Sequence, residues 1–267
     1  MKLFFRSYGN GPPLIILHGL YGSSDNWYSI AKMIGEYYTV YLPDLRNHGQ
    51  SPHSEIMDYD SMRDDLLELV RDLKLKKFFL AGHSMGGKVA ISFALKFPEI
   101  LNGLLIADIS PFINETSGQR IYEQHKSILS AMLSLDLSEI HSRRDAEAGL
   151  TKMTDSEKIK GFILKNLQRG SDNTFIWKIN VHSLLDNLDK IMQGIDRSTL
   201  RNYQISGFPV IFLKGAESDY IQASDYPDIL KIFPAAEIKE IGNAGHWLHA
   251  DQPAEVAGYL KMLSGID

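Results

Sequence analysis

Residues 78–90, FFLAGHSMGGKVA, constrain the fold of this chain more than any other stretch. The apolar beginning of the stretch predicts a buried strand, and its end, continued to residue 95, predicts a helix. The chain must therefore reverse within a few residues, and Ser84 lies at the apex of that turn. A turn this tight leaves no room for side chains beside its apex, which accounts for the glycines at positions 82 and 86. The resulting pattern, G-x-S-x-G, is typical of a nucleophilic serine held between a strand and a helix.

Three alternative interpretations start from the same glycines. Positions 82–88 match the beginning of the phosphate-binding loop G-x-x-x-x-G-K-[ST], but Val89 stands where that loop needs a hydroxyl for magnesium. A dinucleotide fingerprint needs G-x-G-x-x-G soon after the first strand, and no stretch of the chain supplies it. The third alternative is a plain turn in an α/β sheet. Segments elsewhere in the chain have to decide between that turn and a nucleophile.

The composition excludes several classes of function. A chain of 267 residues, 44% of them hydrophobic, is long enough for one large α/β domain or two small ones. Its net charge of -5 leaves no positive excess to hold a phosphate backbone, so we expect no nucleic-acid partner. Because the chain has no cysteine, disulfides, thiolate metal sites and cysteine nucleophiles are excluded. No apolar run is long enough for a signal peptide or a membrane span, so we expect a cytoplasmic protein.

Apolar runs and helical patterns alternate along most of the chain. An edge strand is predicted near residues 2–8, and buried strands are predicted at 14–17, 38–42, 78–81, 101–107, 209–213 and 237–241. Apolar residues at helical spacing predict a helix over about 61–74, with Ser61 and Asp64 as its capping box. This alternation indicates an α/β fold with a doubly wound, mostly parallel central sheet flanked by helices.

The character of the chain changes between residues 112 and 207. Helical patterns dominate there, including 121–135, 156–167 and 181–192, and no strand-like run appears before the sheet resumes. We therefore expect residues 1–111 and 208–267 to form the core, and residues 112–207 to form an inserted helical cap over a cleft. Large apolar side chains of the cap are candidates for lining a pocket, although such residues are more often ordinary core. They are Met132, Met153, Phe162, Phe175, Trp177 and Met192.

Three loops follow predicted strands and gather at the edge where open α/β sheets bind ligands. The loop 18–22, HGLYG, can aim a backbone N–H into the cleft. In the next loop, Asp44 and Arg46 are expected to hold the chain through a local ion pair and hydrogen bonds rather than to do chemistry. The loop 242–247, GNAGHW, follows the last strand and brings in His246. A serine at a strand-helix turn, followed later by a histidine after the final strand, is the order expected of an α/β-hydrolase.

Together, these motifs resemble those of the α/β-hydrolase superfamily. The resemblance covers the chain except the cap and rests on His18-Gly19, Asp44-x-Arg46-x-His48-Gly49-x-Ser51, the stretch 82–87 and Gly245-His246. More narrowly, residues 4–9, 17–27 and 243–253 look like the small bacterial YbfF-type esterases and their mitochondrial abhydrolase relatives. The resemblance implies an α/β-hydrolase fold. It also implies hydrolysis of a small-molecule carboxylic ester or acyl thioester, acyl-CoA included, without a cofactor.

In such an enzyme each motif has a chemical role. Ser84 Oγ would attack the acyl carbonyl, while His246 takes its proton and later returns it to the leaving group. The backbone N–H groups of Leu20 and Met85 would hold the oxyanion. These four positions are the predicted catalytic serine and histidine and the predicted oxyanion hole.

Two further histidines lie close to these positions in the sequence. His83 is not expected to be the base, because adjacent residues on such a turn point apart. His249, three residues after His246, raises the alternative of a metal-binding pair. No other ligands lie nearby in the sequence, so we expect no metal site.

A catalytic triad also needs a carboxylate to orient the histidine, and two aspartates are candidates for it. The common superfamily pattern places an aspartate three residues after the glycine that ends the seventh strand, and Ser218 occupies that position here, one residue before Asp219. Asp108 is the other candidate, because it ends a strand expected beside that of Ser84, and a carboxylate there needs a hydrogen-bonding partner. Some α/β-hydrolases, the dehalogenases among them, take the acid from this strand. We favour Asp108 over Asp219, with Ser218 as a second hydrogen-bond partner of His246.

Two other functions stay open at this point. The same triad could serve perhydrolysis, as in a haloperoxidase, or carbon-carbon bond hydrolysis. Alternatively, the fold could have lost turnover and act as a ligand-binding module. The intact serine, histidine and small-residue loop argue against such a module. The acyl chain length, the leaving group and the oligomeric state do not follow from the sequence.

Overall fold

A computed structural model describes residues 1–113, 117–151, 156–170, 174–195 and 204–265 of the chain. Within these ranges the strands are β1 (Phe5–Tyr8), β2 (Pro13–Leu17), β3 (Thr39–Pro43), β4 (Phe78–His83), β5 (Leu101–Ala107), β6 (Leu167–Arg169), β7 (Phe175–Trp177), β8 (Val210–Gly215) and β9 (Ala236–Ile241). The α-helices are α1 (Tyr28–Ile34), α2 (Tyr59–Asp72), α3 (Met85–Lys96), α4 (Gly118–Ser134), α5 (Arg143–Thr151), α6 (Glu157–Leu164), α7 (Val181–Asp186), α8 (Leu188–Met192), α9 (Tyr226–Ile232), α10 (Leu248–Asp251) and α11 (Pro253–Met262). None of the described helices has both the length and the apolarity that spanning a bilayer requires.

Seven of the described strands form one sheet in the order β1-β3-β2-β4-β5-β8-β9. Strand β1 is antiparallel to β3 at one edge, and the other neighbouring pairs are parallel. Strands β2, β4 and β5 are buried along nearly their whole length, because helices cover both faces of the sheet. This burial explains their continuous apolar sequences, and the predicted fold class is confirmed.

Strand β4 lies at the centre of the sheet and contacts a hydrophobic cluster on each face. Phe78 and Leu80 belong to the cluster that includes residues of α2 and α3. Phe79 and Ala81 belong to the other cluster, which includes residues of α1 and α11. The alternation follows from the two-residue period of a strand. The turn that carries Ser84 at the end of β4 is therefore anchored from both sides of the sheet.

Helix α2 begins two residues before Ser61. The side chain of Asp58 accepts a hydrogen bond from the Ser61 backbone N–H at 2.8 Å, so Asp58 is the N-cap. The predicted capping box at Ser61 and Asp64 is wrong, because Ser61 is the third helical residue rather than the cap. A cap at Asp58 and a cap at Ser61 both place a short polar side chain ahead of the same apolar residues, so the sequence pattern does not distinguish the two.

The described part of the segment between β5 and β8 contains helices α4 to α8 and also two strands that no sequence pattern predicted. Strands β6 and β7 pair antiparallel, with Leu167 opposite Trp177 and Arg169 opposite Phe175. Each has three residues, which is too short for an alternating pattern to stand out. Helix α6 ends at Leu164, so the helix predicted to continue to residue 167 is too long.

Hydrogen bonds connect this inserted segment to loops at the carboxyl ends of core strands. Asn166 Nδ2 donates to the carbonyl of Tyr21, beyond β2, at 2.9 Å. Asn187 Nδ2 donates to the carbonyl of Glu55, in the loop between β3 and α2, at 2.8 Å. The inserted segment thus lies over the edge of the sheet at which β4 also ends. The division into a core and a cap stays a prediction, and these contacts support it.

Candidate active site

Ser84 occupies the sharp turn between β4 and α3. Its backbone lies at φ 53° and ψ -119°, outside the regions that most side chains adopt. Such a conformation costs about 1–3 kcal/mol and persists only where the surrounding packing enforces it. The packing here depends on glycine, because a Cβ at Gly82 would lie 2.3 Å from the Gly86 carbonyl oxygen. A Cβ at Gly86 would lie 2.5 Å from the His18 carbonyl oxygen, so both motif glycines meet backbone directly.

His246 reaches Ser84 from the loop that follows β9. Its Nε2 lies 2.9 Å from Ser84 Oγ, and its Nδ1 lies 2.7 Å from Asp108 Oδ2. An ionised carboxylate only accepts hydrogen bonds, so Nδ1 carries the proton in this contact. Nε2 is then free to accept the proton of the serine hydroxyl. Three side chains from distant parts of the sequence therefore form one hydrogen-bonded row.

Asp108 directly follows β5, the strand that lies beside β4 in the sheet. Its side chain is fully buried. The Gly215 backbone N–H donates to Oδ1 at 2.9 Å, while Ser218 Oγ and His246 Nδ1 both donate to Oδ2. The buried carboxylate is thus satisfied by hydrogen bonds, as burial of a charge requires. Ser218 contacts this carboxylate rather than the imidazole of His246, which corrects its expected partner.

Asp219 has a different environment. Its carboxylate is 65% exposed and pairs with Arg120 of α4 at 2.7 Å. The structure therefore brings Asp108, and not Asp219, into hydrogen-bond contact with His246.

Leu20 and Met85, the predicted oxyanion donors, lie in two segments that meet at Ser84. Met85 is the first residue of α3, and Leu20 lies in the loop after β2. Within the described part of the chain, neither backbone N–H has a hydrogen-bond acceptor. Both residues line a cavity that also reaches Ser84. Two unpaired donors beside a nucleophile are what stabilisation of an oxyanion requires.

His48 holds the loop that carries Leu20. Its Nε2 accepts a hydrogen bond from the Tyr21 backbone N–H at 3.2 Å, and its Nδ1 donates to the Arg46 carbonyl at 2.9 Å. Burial and the neighbouring His18 lower the pKa of His48 to about 3. The ring is therefore neutral at neutral pH, and only a neutral ring can accept from Tyr21.

A hydrogen-bonded network at the site was not predicted. His125 of α4 has its Nδ1 3.1 Å from Tyr21 Oη and its Nε2 3.2 Å from Tyr220 Oη. Burial, together with the charges of His246 and Lys88, lowers the pKa of His125 to about 3, so the ring is neutral and donates through one nitrogen only. The Tyr220 ring also stacks on the His246 imidazole. No sequence motif marks these residues, because their meeting depends on how the inserted segment packs.

Asp44 and Arg46 hold their loop in place, but not through the local ion pair that was expected. The carboxylate of Asp44 accepts hydrogen bonds from the backbone N–H groups of Ser24 at 2.6 Å and Gln50 at 2.8 Å. Arg46 instead pairs with Asp65 of α2 at 2.6 Å, and both side chains are buried. The loop is thus joined to two other elements.

His83 and His249 lie near the row formed by Ser84, His246 and Asp108. His83 Nε2 donates to the His246 carbonyl at 2.7 Å, a bond that orients the histidine loop. His249 is buried and stacks on Trp27, with ring centroids 4.7 Å apart. Among the described residues there is no cluster of three or more histidine, cysteine, aspartate or glutamate side chains that could hold a metal ion.

Among the cavities lined by described residues, two reach Ser84. The first has a volume of about 210 Å³ and is lined by His246 and Trp247; we call it the histidine chamber. The second has a volume of about 360 Å³ and is lined by Lys88 and Met192; we call it the lysine chamber. The serine thus lies between two spaces, an arrangement suited to a substrate that is split into two parts.

The apolar residues predicted to line a pocket under the cap have mixed locations. Phe162 lines the histidine chamber, and Met192 lines the lysine chamber. Met132 is buried in the main hydrophobic cluster, whereas Phe175 and Trp177 pack in a small cluster around β6 and β7. Met153 lies outside the described residues.

Comparison with known proteins agrees with this architecture. The family described as the alpha/beta hydrolase fold matches residues 12–253. The sn-1-specific diacylglycerol lipase ABHD11 of Danio rerio is 37% identical over 254 residues, covering 94% of this chain and 78% of that protein. Esterase YbfF of Escherichia coli (strain K12) is 29% identical over 252 residues, covering 94% of this chain and 92% of that protein.

A solved structure extends the similarity to three dimensions. A marine microorganism esterase is 43% identical, superposes with a TM-score of 0.93, and covers 98% of this chain and 99% of its own. The expected resemblance to YbfF-type esterases and their abhydrolase relatives is thereby confirmed. With its sheet, its serine turn and a family match over nearly its whole length, this chain belongs to the alpha/beta hydrolase fold family.

Proposed function

We propose that this protein hydrolyses carboxylic esters through an acyl-serine intermediate. The observation that carries the proposal is the row Ser84, His246 and Asp108, with contacts of 2.9 Å and 2.7 Å beside a strained serine turn. The names esterase and lipase given to relatives of this chain support ester hydrolysis as the type of reaction.

In the first step, Ser84 Oγ attacks the acyl carbonyl and His246 Nε2 takes the serine proton. Asp108 keeps the imidazole in the tautomer that can accept this proton and stabilises the imidazolium that forms. The N–H groups of Leu20 and Met85 donate to the oxyanion of the tetrahedral intermediate. His246 then protonates the leaving group. A water molecule activated by His246 finally releases the acid and restores Ser84.

The two chambers divide the substrate between them. The leaving group takes its proton from His246 Nε2, so it must lie on the side of Ser84 where His246 forms the wall. That side is the histidine chamber. The acyl chain then lies in the lysine chamber, which is lined by Met85 and bordered by apolar residues such as Phe112. We propose that the inserted segment acts as the cap over both chambers, since α4 contributes His125 to each.

Acyl thioesters, acyl-CoA included, remain within the proposal because serine attacks their carbonyl in the same way. Parallel assays with 4-nitrophenyl butyrate and butyryl-CoA compare the two leaving groups directly. Assays with halide and peroxide test perhydrolysis. No described feature of the site favours this reaction over hydrolysis. The cytoplasmic location stays a prediction.

Labelling with a fluorophosphonate probe tests the nucleophile. We expect the wild-type protein to be labelled and to hydrolyse 4-nitrophenyl butyrate. The Ser84→Ala variant should do neither. Ser92→Ala, on the same helix and away from the triad, is the matched control and should label normally. Labelling that survives Ser84→Ala would disprove the assignment. A wild-type protein that neither labels nor turns over any ester would favour the non-catalytic binding module.

A further inference from the structure

Lys88 is a buried cation in the wall of the lysine chamber. It lies in the first turn of α3, four residues after Ser84, and both residues line this chamber. The residue is 6% exposed. Its Nζ donates to the backbone carbonyls of Met192, the last residue of α8, at 2.9 Å and of Gln193, the next residue, at 3.1 Å.

No carboxylate balances this charge among the residues that the structure describes. Asp189 lines the same chamber, but it is a hydrogen-bond partner of Tyr122 and forms no ion pair with Lys88. A buried ammonium group without a counter-ion is costly, and burial lowers the pKa of Lys88 to about 7. The two carbonyls use two of its three N–H donors. The ring centroid of Tyr59 lies 5.7 Å from Nζ and carries no formal negative charge, so one donor and the need for a counter-ion remain for another group.

A purely structural link between α3 and the inserted segment would not need a charge. A neutral amide could donate to the same two carbonyls without the cost of burying an ammonium group. The position of Lys88 in the chamber assigned to the acyl chain suggests a different use for the charge. A ligand anion would supply the missing counter-ion, and such charge-assisted hydrogen bonds are about twice as strong as neutral ones.

We propose that Lys88 binds a carboxylate at the far end of the acyl chain, so that the preferred substrates are half-esters of dicarboxylic acids. The proposal rests on the proposed ester hydrolysis and names its substrate class. The apolar wall of the chamber, including Ile109 and Phe112, would contact the methylene groups of such a chain, while its carboxylate would reach the buried ammonium group. Lys88 is thus a specificity-determining residue.

The test compares matched substrates. The 4-nitrophenyl half-esters of glutaric, adipic, pimelic and suberic acid carry a free carboxylate, and their methyl-capped counterparts have the same chain without the charge. Both series release 4-nitrophenolate, so the ratio of kcat/KM for the free acid to that for its methyl ester isolates the effect of the charge. The proteins compared are wild type, Lys88→Met, Lys88→Arg and Lys96→Met, the last being an exposed lysine further along α3.

At about pH 6, where Lys88 is protonated, we expect the wild-type ratio of kcat/KM values to be about ten for at least one of the four acids. Lys88→Met should remove this preference. Lys88→Arg should retain part of it, and Lys96→Met should leave it unchanged. A lysine that only links two elements would lower both kcat/KM values together and leave the ratio as it is.

The pH dependence of the wild-type ratio provides a test that needs no variant. Deprotonation of Lys88 should lower the preference for the free acid as the pH rises from about 6 to 9. His246 acts on both substrates alike and cancels in the ratio. The ionisable groups of other elements that line the lysine chamber with Lys88 are Tyr59, Tyr122, His125, Asp189 and Tyr220. Burial lowers the pKa of His125 to about 3 and raises those of Tyr59 and Tyr220, and the hydrogen bond with Asp189 raises the pKa of Tyr122, so none of these rings changes charge in this interval.

The outcomes separate the two proposals. If the methyl esters are turned over but the wild-type ratio is at or below one for all four acids, the role of Lys88 is wrong and ester hydrolysis stands. A ratio that Lys88→Met does not change has the same meaning. If neither series is hydrolysed by the wild-type protein, the proposed function itself fails.

Discussion

The ring of Tyr220 stacks on the imidazole of His246, with ring centroids 3.6 Å apart and planes inclined by 13°. The imidazole is thereby fixed on its face as well as at its two nitrogens. Tyr220 is fixed in turn by the bond between its hydroxyl and His125 Nε2. The rotamer that places Nε2 at Ser84 therefore depends on the inserted segment as well as on Asp108.

Removing this stack should reduce turnover without removing any group that reacts. An aromatic pair contributes about 0.5–1.5 kcal/mol beyond its buried area, so Tyr220→Ala should lower kcat for 4-nitrophenyl butyrate about tenfold. Tyr220→Phe keeps the ring and loses only the hydroxyl bond to His125, and its kcat should stay within about threefold of wild type. Equal losses in the two variants would show that the hydroxyl matters and the stack does not.

Replacing the carboxylate that contacts His246 should be far more severe. Asp108→Asn favours the wrong imidazole tautomer, and we expect kcat to fall about 10³–10⁴-fold. Asp219→Asn breaks only an exposed ion pair with Arg120, so its kcat should fall less than tenfold. Steady-state assays with 4-nitrophenyl butyrate decide between the two residues. The reverse order of effects would identify Asp219 as the acid.

The close backbone contact at the serine turn makes a prediction about stability. A methyl group at Gly82 would lie 2.3 Å from the Gly86 carbonyl oxygen, so Gly82→Ala should lower the free energy of unfolding by about 3 kcal/mol or more, or prevent folding. Gly258→Ala is the control, because a Cβ there meets no atom within 4 Å on α11. That change should raise stability by up to about 1 kcal/mol. Urea denaturation measures both, and a well-folded, fully stable Gly82→Ala protein would contradict the described packing.

The buried lysine should also make stability depend on pH. Burial lowers the pKa of Lys88 from 10.5 to about 7, so above about pH 7 the unfolded chain binds more protons at this position than the folded chain does. The free energy of unfolding should therefore rise with pH, by at most about 1.4 kcal/mol per pH unit, relative to Lys88→Met.

Urea denaturation of the two proteins at about pH 6, 7, 8 and 9 measures this difference. The free energy of unfolding of the wild-type protein should rise relative to that of Lys88→Met between pH 7 and 9. Below pH 7 the difference between the two proteins should change little. A relative loss of stability over the upper interval would mean that the lysine is stabilised as a cation in the folded protein.

Local patterns were sufficient to predict the main sheet and to propose Ser84, His246 and Asp108 as residues of one site. The strand at 78–81 and the glycines beside Ser84 predict a nucleophile, because few sequences other than G-x-S-x-G can adopt so tight a turn between a strand and a helix. His246 follows from its position after the last strand. Asp108 follows from the adjacency of two parallel strands, which places their carboxyl ends at one edge of the sheet.

What could not be predicted depends on contacts between distant segments. The partner of Arg46 is Asp65, on a helix whose orientation no local pattern defines. His125 and Tyr220 meet only because the inserted segment packs against the loop after β8. The same holds for Lys88, whose carbonyl partners lie at the end of α8. Helical periodicity predicts which faces are apolar, but not which of them close over the serine.

The chain leaves the sheet at the end of β5 and returns in β8, and these strands are direct neighbours, with Leu104 opposite Val210 and Ala107 opposite Leu213. The stretch between Asp108 and β8 can change in length and sequence while the two strands keep their register. A gene for this fold can therefore diversify in one continuous block of codons. Its descendants would keep Ser84, Asp108 and His246 and differ in the molecules that they admit to these residues.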